Sequence, residues 1–256
     1  MVDKVSVRCG GPLATRLMAE LACSPLGTAQ WMNEHTYLLK KDVHSLAGTL
    51  DLGEEHCFLK LYREKSAVHK VLYRLGIGRP LRSFRAARTL LKQGLPVPEP
   101  LGCLMVPEGM LLLTEGWVSE GNLRQVWARK PGQERAQQVM QGAGQALGQL
   151  HLSRHAHGDC KWTNLLWDGN GICFVDLDSV SRSSVHSARQ ARDLARFTLN
   201  AEELEIGSQL YDIFLDSYLQ TVKLSRQKAV ERMAPSLYAL RAKHLSRYGP
   251  RGQRLV

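Results

Sequence analysis

Residues 36–61 alternate short apolar runs with polar breaks. The apolar runs fall at Tyr37–Leu39, Leu46–Leu52 and Cys57–Leu61, and a Gly-Glu-Glu break separates the last two. Short apolar runs bounded by glycine and charged residues are typical of strands rather than of amphipathic helices. This region is therefore predicted to form an antiparallel β-meander.

A helix and a hairpin are predicted after the meander. A basic segment carries apolar residues at helical spacing, with Ser83 as the predicted N-cap and Gly94 as the C-terminal stop. Two apolar runs then flank a Pro-Glu-Gly turn, which predicts a hairpin. These runs are Leu101–Val106 and Met110–Thr114.

The strand pattern ends near Gly116, and helical periodicity replaces it. Helices are predicted for residues 123–130 and 133–152, and residues 187–245 are predicted to be mostly helical. The chain is therefore expected to have an α+β fold, with a strand-rich N-terminal portion and a helix-rich C-terminal portion.

The composition is that of an ordinary folded protein. The chain has 256 residues, of which 44% are hydrophobic and 23% charged, which fits one large domain or two small lobes. No run approaches the ~20 apolar residues that cross a bilayer, so integral membrane insertion is excluded. Arg16 and Glu20 interrupt the candidate signal segment, so a cytoplasmic start is expected. Six cysteines without a Cys-x-x-Cys pair predict reduced thiols.

Positive charge is concentrated in two segments. Residues 60–92 hold ten Lys or Arg against one acid, and residues 223–256 hold nine against one. These segments carry +9 and +8 of a net charge of +10, so the rest of the chain carries −7. Two basic surfaces on an acidic body favour an anionic partner, such as a phosphorylated sugar, acidic lipid headgroups or nucleic acid. Merely solvated helix faces are the alternative.

The densest set of reactive side chains is His157-Gly-Asp159-Cys-Lys161-Trp-Thr-Asn164, which a hairpin pattern and Asp176 follow. Two apolar runs around Asp-Gly-Asn-Gly are a strong hairpin signal. Because a hairpin brings its ends together, Asn164 and Asp176 are predicted to be neighbours. An amide and a carboxylate side by side, with Asp159 upstream in the loop, supply hard oxygen ligands for Mg²⁺.

This arrangement meets the requirements of phosphoryl transfer. Metal ions neutralise the phosphate oxygens, while a carboxylate orients the attacking hydroxyl and accepts its proton. Asn164 and Asp176 are the predicted metal ligands, and Asp159 is the predicted base. Lys161 is expected to place positive charge on the transferred phosphoryl group, with a solvated loop lysine as the alternative.

Two other functions have weaker support. His155, His157 and Asp159 form a His-x-His-x-Asp pattern, as in metallo-β-lactamase-like hydrolases, but Cys160 stands where a further histidine belongs. If the segment instead carries out phosphoryl transfer, His151 and His155 are expected to be ordinary helix-end residues. Nucleic-acid binding is indicated by charge alone, so no specific nucleic acid is expected.

The same segment resembles the catalytic loop of the protein-kinase-like superfamily, His-Arg-Asp-x-x-x-x-Asn followed by a metal-binding Asp. More narrowly, the chain is similar to the lipopolysaccharide kinase (Kdo/WaaP, InaA-like) family over about residues 35–220. The segments that carry the similarity are Gly158-Asp159, Val175-Asp-Leu-Asp178, Gly94-Leu-Pro-Val-Pro-Glu-Pro-Leu101, Tyr37-Leu-Leu-Lys-Lys41, Cys57-Phe-Leu-Lys60-Leu-Tyr62 and Arg192-Asp-Leu-Ala-Arg-Phe197.

The resemblance implies a two-lobed protein-kinase-like fold with an antiparallel-sheet N-lobe, a mainly helical C-lobe and ATP between the lobes. It also implies that ATP and Mg²⁺ are the cofactors. The expected divisions are an N-terminal extension at 1–30, an N-lobe at 31–115, a C-lobe at 116–222 and a basic helical tail at 223–256.

The resemblance also implies roles for single residues. By match to the motif, Lys60 binds nucleotide phosphates, Asp159 is the base, and Asn164 and Asp176 bind Mg²⁺. Residues 114–117, which include Glu115, are expected to form the hinge that touches adenine. His157 is expected to brace the catalytic loop.

The chain departs from the protein-kinase pattern in two places. No Gly-x-Gly-x-x-Gly occurs between residues 36 and 60, so the phosphate-covering loop is expected at Lys40–Gly48, with Lys41 and Ser45 as its binding residues. No acid lies between residues 65 and 98 to pair with Lys60. Either Glu64 or another group orients this lysine, or nucleotide binding is impaired.

These observations together predict an ATP- and Mg²⁺-dependent kinase that phosphorylates a hydroxyl of a heptose or Kdo sugar in the lipopolysaccharide inner core. The alternatives are a kinase-fold scaffold without catalysis and a small-molecule phosphotransferase of the aminoglycoside or choline type. The expected partners are an anionic glycolipid or phosphorylated sugar and an acidic membrane surface. A cytoplasmic location, with peripheral attachment to the inner membrane, is the matching expectation.

Overall fold

A computed structural model describes residues 5–64, 66–250 and 252–256. Contacts between Cα atoms divide the chain into two compact units. The first unit runs to Lys92 and also includes Val97–Val118, while the second combines Gln93–Pro96 with Ser119–Val256.

A six-stranded antiparallel sheet forms the first unit. Its strands lie in the order β1-β5-β6-β4-β3-β2, and each neighbouring pair is antiparallel. The predicted meander and the predicted hairpin are both confirmed. The strands are β1 (Ser6–Gly10), β2 (Tyr37–Lys41), β3 (Ser45–Leu52), β4 (Glu55–Arg63), β5 (Pro100–Val106) and β6 (Gly109–Glu115).

Helices cover both faces of this sheet. They are α1 (Pro12–Cys23), α2 (Thr28–His35), α3 (Ala67–Arg74) and α4 (Arg79–Leu91). Leu104 of β5 packs with the α1 and α2 core, whereas Cys103 and Met105 pack with Phe84 of α4, because successive strand residues point to opposite faces. The described part of the expected N-terminal extension is thus built into the sheet and its core.

The predicted start of the basic helix is wrong. Gly78 occupies the N-cap position, and α4 begins at Arg79. Pro80 lies in the first turn, where its fixed φ angle favours helix initiation. Ser83 is instead a buried residue inside the helix.

The second unit is mainly helical, as predicted. Gly144 of α6 allows α6 and α8 to approach closely, because a Cβ atom there would lie 2.3 Å from the Phe214 carbonyl oxygen. The helices are α5 (Leu123–Ala128), α6 (Gln133–Leu152), α7 (Ala188–Glu203), α8 (Ser208–Val222) and α9 (Arg226–Tyr248).

Short strands complete the second unit. The predicted Asp-Gly-Asn-Gly hairpin is confirmed, and Asp168 Oδ1 accepts hydrogen bonds from the backbone N–H groups of Asn170 and Gly171. A β10-β9-β7 sheet and a β8-β11 pair contain these strands. Their bounds are β7 (Gly121–Asn122), β8 (His155–Ala156), β9 (Leu165–Trp167), β10 (Ile172–Phe174) and β11 (Ser181–Arg182).

The C-terminal segment packs on α7. Glu202 is buried and accepts hydrogen bonds from the Arg241 guanidinium and the Leu255 backbone N–H. Arg241 of α9 is therefore an ion-pair partner within the second unit rather than a free surface cation. Across the described ranges, no helix combines the length and apolar character needed to cross a membrane.

Candidate active site

The predicted catalytic loop, residues 157–164, connects β8 to β9. Its first turn is held by the buried Asp193 of α7, whose carboxylate accepts hydrogen bonds from the backbone N–H groups of His157 at 2.6 Å and Gly158 at 2.9 Å. Gly158 has φ +81°, and a Cβ atom there would lie 2.6 Å from the Ser179 carbonyl oxygen. Only glycine fits this turn without strain.

Helix α7 contacts the loop at three points. Asp193 holds its start, Arg196 reaches Asp159 in its middle, and Asn200 accepts a hydrogen bond from the Trp162 backbone N–H at 2.9 Å. The spacing of three and four residues places these side chains on one face of the helix. One helix face thus binds the loop backbone at its start and at Trp162, and the Asp159 side chain between them.

His157 ties the loop to the end of β10. Its Nδ1 accepts a hydrogen bond from the Asp159 N–H at 3.3 Å, and its Nε2 lies 3.1 Å from the Val175 carbonyl oxygen. This pair of contacts requires a neutral ring with the proton on Nε2. Complete burial lowers the pKa of His157 and so favours the same neutral form, despite the opposing effect of nearby carboxylates.

His151 lies in the last turn of α6, as predicted, whereas His155 lies in β8, and both side chains are buried. His151 Nδ1 lies 2.8 Å from the Tyr218 hydroxyl, and its Nε2 lies 3.5 Å from Asp193 Oδ2. Gln190 donates hydrogen bonds to the carbonyl oxygens of both histidines. These contacts connect α7 to the residues that precede the catalytic loop.

The Asp159 carboxylate is three quarters buried, and both its oxygens have partners. Oδ1 accepts a hydrogen bond from Arg196 at 2.7 Å, and Oδ2 lies 3.0 Å from Lys161 Nζ. The Asn164 amide Nδ2 donates to the Asp159 carbonyl oxygen at 3.0 Å and to Oδ2 at 3.3 Å. The predicted base therefore has a fixed orientation.

The hairpin brings Asn164 and the residue before Asp176 into direct contact. The Val175 N–H donates to the Asn164 carbonyl oxygen at 3.0 Å, so the predicted proximity of Asn164 and Asp176 is confirmed in the backbone. Asp176 has φ 61° and ψ 54°, a left-handed conformation that is costly for a residue other than glycine. Such strain concentrates at functional sites.

The chemistry of these side chains fits a magnesium ion. Asn164 turns its Nδ2 toward Asp159, which leaves the amide Oδ1 as a free oxygen ligand, and Asp176 adds a carboxylate. Among the residues that the structure describes, no three His, Cys, Asp or Glu side chains group as a metal cluster. Both ring nitrogens of His157 have hydrogen-bond partners, the Asp159 N–H and the Val175 carbonyl oxygen, which does not fit the hydrolase alternative.

Lys60, the predicted phosphate-binding lysine, lies in the middle of β4. It pairs in register with Ala47 and Leu112, and its Nζ lies 4.7 Å from the centre of the Tyr62 ring. Glu64 follows the end of β4, and its N–H donates to the Glu108 carbonyl oxygen at 3.0 Å. The pairing of Lys60 with Glu64 stays a prediction.

The segment expected to cover the phosphates, Lys40–Gly48, forms the β2–β3 hairpin. Asp42 organises its turn and accepts hydrogen bonds from the backbone N–H groups of His44 and Ser45 and from the Ser45 hydroxyl. The His44 N–H and these neighbours lower the pKa of Asp42. Lys41 is exposed, with its Nζ 3.4 Å from Asn33 Oδ1.

Glu115, the predicted hinge residue, ends β6. Its N–H donates to the Glu99 carbonyl oxygen at 2.8 Å, and its Oε2 accepts from the Glu99 N–H at 3.1 Å. The chain leaves the first unit three residues later, after Val118. Glu115 is thus the last residue of the six-stranded sheet, and it lies shortly before the long segment of the second unit, Ser119–Val256.

Arg196 is the site residue that sequence reasoning missed. Its segment, Arg192–Phe197, carries part of the family resemblance, but the sequence pattern predicts no role for Arg196. Helical spacing is the signal that could have identified Arg196. Asp193, Arg196 and Asn200 are polar residues at positions i, i+3 and i+7, and Phe197 and Ala201 beside them are buried. A polar stripe inside a buried helix marks a face that binds other polar groups.

The order of these parts defines the class of the protein. The chain contains, in order, an antiparallel sheet with a lysine, a His-x-Asp loop, a hairpin and a further Asp. Protein-kinase-like enzymes have these parts in the same order. The sequence signature of the lipopolysaccharide kinase (Kdo/WaaP) family matches residues 40–218. The chain therefore belongs to the lipopolysaccharide kinase (Kdo/WaaP) family.

A solved structure has the same fold. It is described as WaaP in complex with acyl carrier protein, and it is similar to this chain with a TM-score of 0.60 and 15% sequence identity. The match covers 86% of this chain and 92% of that chain. A comparison with curated proteins finds no match.

Proposed function

We propose that this protein is an ATP- and Mg²⁺-dependent kinase that transfers the γ-phosphate to a hydroxyl of a heptose or Kdo sugar in the lipopolysaccharide inner core. Membership of the family supports this class of acceptor. The observation that carries the proposal is the Asp159 carboxylate, which Arg196, Lys161 and Asn164 orient while a quarter of its side chain stays exposed.

Asp159 accepts the proton of the attacking sugar hydroxyl in this proposal. A general base needs a fixed position within hydrogen-bond reach of the proton that it removes. Contacts to both carboxylate oxygens supply that position. Lys161 is 45% exposed, so its ammonium group is accessible to the transferred phosphoryl group.

Nucleotide and metal are assigned to separate residues. Lys60 holds nucleotide phosphates, Lys41 and Ser45 contribute from the β2–β3 hairpin, and the segment around Glu115 contacts the base. Asn164 and Asp176 hold Mg²⁺, which supplies neutralisation of the phosphate oxygens. Their hard oxygen atoms and the strained Asp176 backbone support this assignment.

The acceptor is proposed to be an anionic glycolipid at the cytoplasmic face of the inner membrane. The two basic segments, residues 60–92 and 223–256, support an anionic acceptor or membrane surface. Their charge lies on different units of the chain. The protein is accordingly proposed to be cytoplasmic and to attach peripherally to the inner membrane through these segments.

The proposal is tested with labelled ATP, Mg²⁺ and purified lipopolysaccharide core fractions. Wild-type protein is expected to label heptose or Kdo, and Asp159→Asn is expected to lose about 10²–10⁴ of the rate. Arg192→Gln is the control, because Arg192 is an exposed α7 residue outside the site.

Each alternative gives a different result in this assay. A scaffold binds Mg·ATP but labels no acceptor, and a small-molecule phosphotransferase labels aminoglycosides or choline instead of the core sugars. Near wild-type turnover in Asp159→Asn contradicts the assignment of the base. Melting curves of each variant exclude loss of folding as the cause.

A further inference from the structure

Two cysteines face each other across strands β1 and β5. Cys9 and Cys103 are register partners in this antiparallel pair, and neither is part of a disulfide. Cys103 is buried, while Cys9 is partly buried. Directly opposed residues of antiparallel strands have Cβ atoms about 4.5–5.5 Å apart, close to the ~3.5–4.5 Å that a disulfide requires.

The backbone beside this pair is unusually close. Gly10 and Gly102 are the next register partners. A Cβ atom on Gly10 would lie 2.5 Å from the Leu101 carbonyl oxygen, and one on Gly102 would lie 2.5 Å from the Ala14 Cβ atom. Gly10 thus allows β1 to approach β5 closely beside the cysteines, and Gly102 allows α1 to approach β5.

The two thiols differ in acidity. The side chain and the backbone of the neighbouring Cys103 lower the pKa of Cys9. Arg85 and Arg88 of α4 lower it further, although partial burial opposes the effect. The neighbouring Cys9 thiol and burial raise the pKa of Cys103. These opposite shifts favour the thiolate on Cys9 rather than on Cys103.

Cys9 is also accessible from solvent. It lines an open cavity of about 350 Å³ together with Phe84, Arg88, Leu91 and Glu99. The cavity is large enough to hold a small molecule such as hydrogen peroxide beside Cys9. The arginine in its wall favours a negatively charged sulfur, while Glu99 acts against it.

We propose that Cys9 and Cys103 form a peroxide-reactive modification site, in which Cys9 is the attacking sulfur and Cys103 resolves the product into a β1–β5 disulfide. The geometry combines an accessible sulfur, two neighbouring guanidinium groups and a resolving thiol. Reactive cysteines have these surroundings, whereas structural buried cysteines do not.

The reaction consumes one hydrogen peroxide and two thiols. The Cys9 thiolate attacks one peroxide oxygen, the O–O bond breaks, and hydroxide leaves and becomes water with the proton that Cys9 released. The Cys103 sulfur then attacks the Cys9 sulfenic acid sulfur, the S–O bond breaks, and the departing hydroxide takes the Cys103 proton and leaves as water. The two sulfurs are oxidised, and the peroxide is reduced to two waters.

The test uses the full chain and its own cysteines as controls. Low hydrogen peroxide is expected to lower the intact mass by about 2 Da, the two hydrogens lost, and peptide mapping is expected to find a Cys9–Cys103 linkage. Cys23 is exposed but outside this strand pair, so it reports ordinary thiol reactivity. Cys23→Ser should react as wild type does.

Variants separate the two steps. Cys9→Ser should form no linkage, and Cys103→Ala should stop at a Cys9 sulfenic acid that dimedone captures. Arg85→Gln with Arg88→Gln should slow the loss of the Cys9 thiol about threefold or more. Wild-type protein should gain thermal stability on oxidation and lose that gain with dithiothreitol.

Two results would overturn the proposal. One is a Cys9 thiol that reacts with peroxide no faster than Cys23 in the folded protein. The other is a disulfide that joins other cysteines while Cys9 and Cys103 remain reduced. Neither result depends on kinase activity, so failure here is distinct from failure of the proposed function.

Discussion

The Arg196 guanidinium lies 2.7 Å from Oδ1 of Asp159, although 37 positions separate the two residues in sequence. Arg196 stands one helical turn after Asp193, which binds the start of the same loop. Helix α7 therefore orients both the backbone of the catalytic loop and the side chain of the proposed base. This double attachment makes Arg196 a positioning residue.

Replacing Arg196 is expected to reduce kcat more than it raises the KM for ATP. Arg196→Gln leaves Lys161 and Asn164 on Oδ2 but removes the partner of Oδ1. A misplaced catalytic group costs about 10–100-fold in rate. Arg196→Lys should recover part of kcat, because it keeps the charge but loses the planar donor geometry.

Steady-state kinetics on both variants check this prediction, with Arg192→Gln as the matched control on the same helix. A purely structural role would lower the melting temperature and kcat together and would not respond to lysine. Unchanged kcat in a folded Arg196→Gln protein would show that Asp159 does not need this contact.

Mg·ATP affinity is expected to depend more on Asp176 than on Asn164. Asp176 supplies a formal charge to the ion, and Asn164 supplies only a dipole. Asp176→Ala should therefore weaken Mg·ATP binding by about tenfold, or ~1.4 kcal/mol, and Asn164→Ala by less. Calorimetry with Mg²⁺ and with EDTA measures both effects. Equal affinities with and without Mg²⁺, together with one tightly bound zinc, would favour a metal hydrolase.

Lys60→Ala is expected to raise the KM for ATP, whereas the partner of Lys60 is a separate question. Glu64 lies four residues further on, with Tyr62 between them and the Lys60 ammonium 4.7 Å from the Tyr62 ring centre. If Glu64 orients Lys60, Glu64→Gln also raises this KM, while Glu54→Gln in an exposed turn does not. An unchanged KM in Glu64→Gln would eliminate Glu64 alone, and the kinase proposal would stand.

The sequence predicts most of the parts that depend on local pattern. The catalytic hairpin is an example, because the Asp-Gly-Asn-Gly turn and two flanking apolar runs determine it within a dozen residues. The proximity of Asn164 to Asp176 follows from that hairpin without knowledge of any other element. The meander around Lys60 is local in the same sense.

Long-range contacts are what the sequence does not reveal. Asp193 and Arg196 reach the loop from a helix more than thirty residues away, and no periodicity states which surface a helix face meets. Strand β1 pairs with β5, which lies about ninety residues later in the sequence. Because local pattern does not reveal such a pairing, it predicts an N-terminal extension there instead of a strand of the N-lobe. Ser83 failed as an N-cap because Gly78 and Pro80 start the helix earlier.

The two basic segments, residues 60–92 and 223–256, are expected to bind an acidic membrane. Along α4, Arg79, Arg82, Arg85 and Arg88 are exposed and make no ion pair with the carboxylates that the structure describes. In α9, Lys243 and Arg247 are exposed, but Arg241 is bound to the buried Glu202. Arg241 is therefore excluded from the test, since reversing it would set two carboxylates against each other and destabilise the fold.

Attraction between such residues and an acidic bilayer contributes about 1 kcal/mol per basic residue and is screened beyond ~10 Å at 0.1 M salt. Vesicle binding should therefore fall steeply as salt rises. Arg79→Glu with Arg82→Glu, and separately Lys243→Glu with Arg247→Glu, should each weaken co-sedimentation with anionic liposomes. The control pair is Arg124→Glu with Lys130→Glu, which makes the same charge change outside both basic segments. Equal binding to neutral and anionic vesicles, insensitive to salt, would remove the physical argument for a membrane-borne acceptor, because the charge would then serve solubility or another partner.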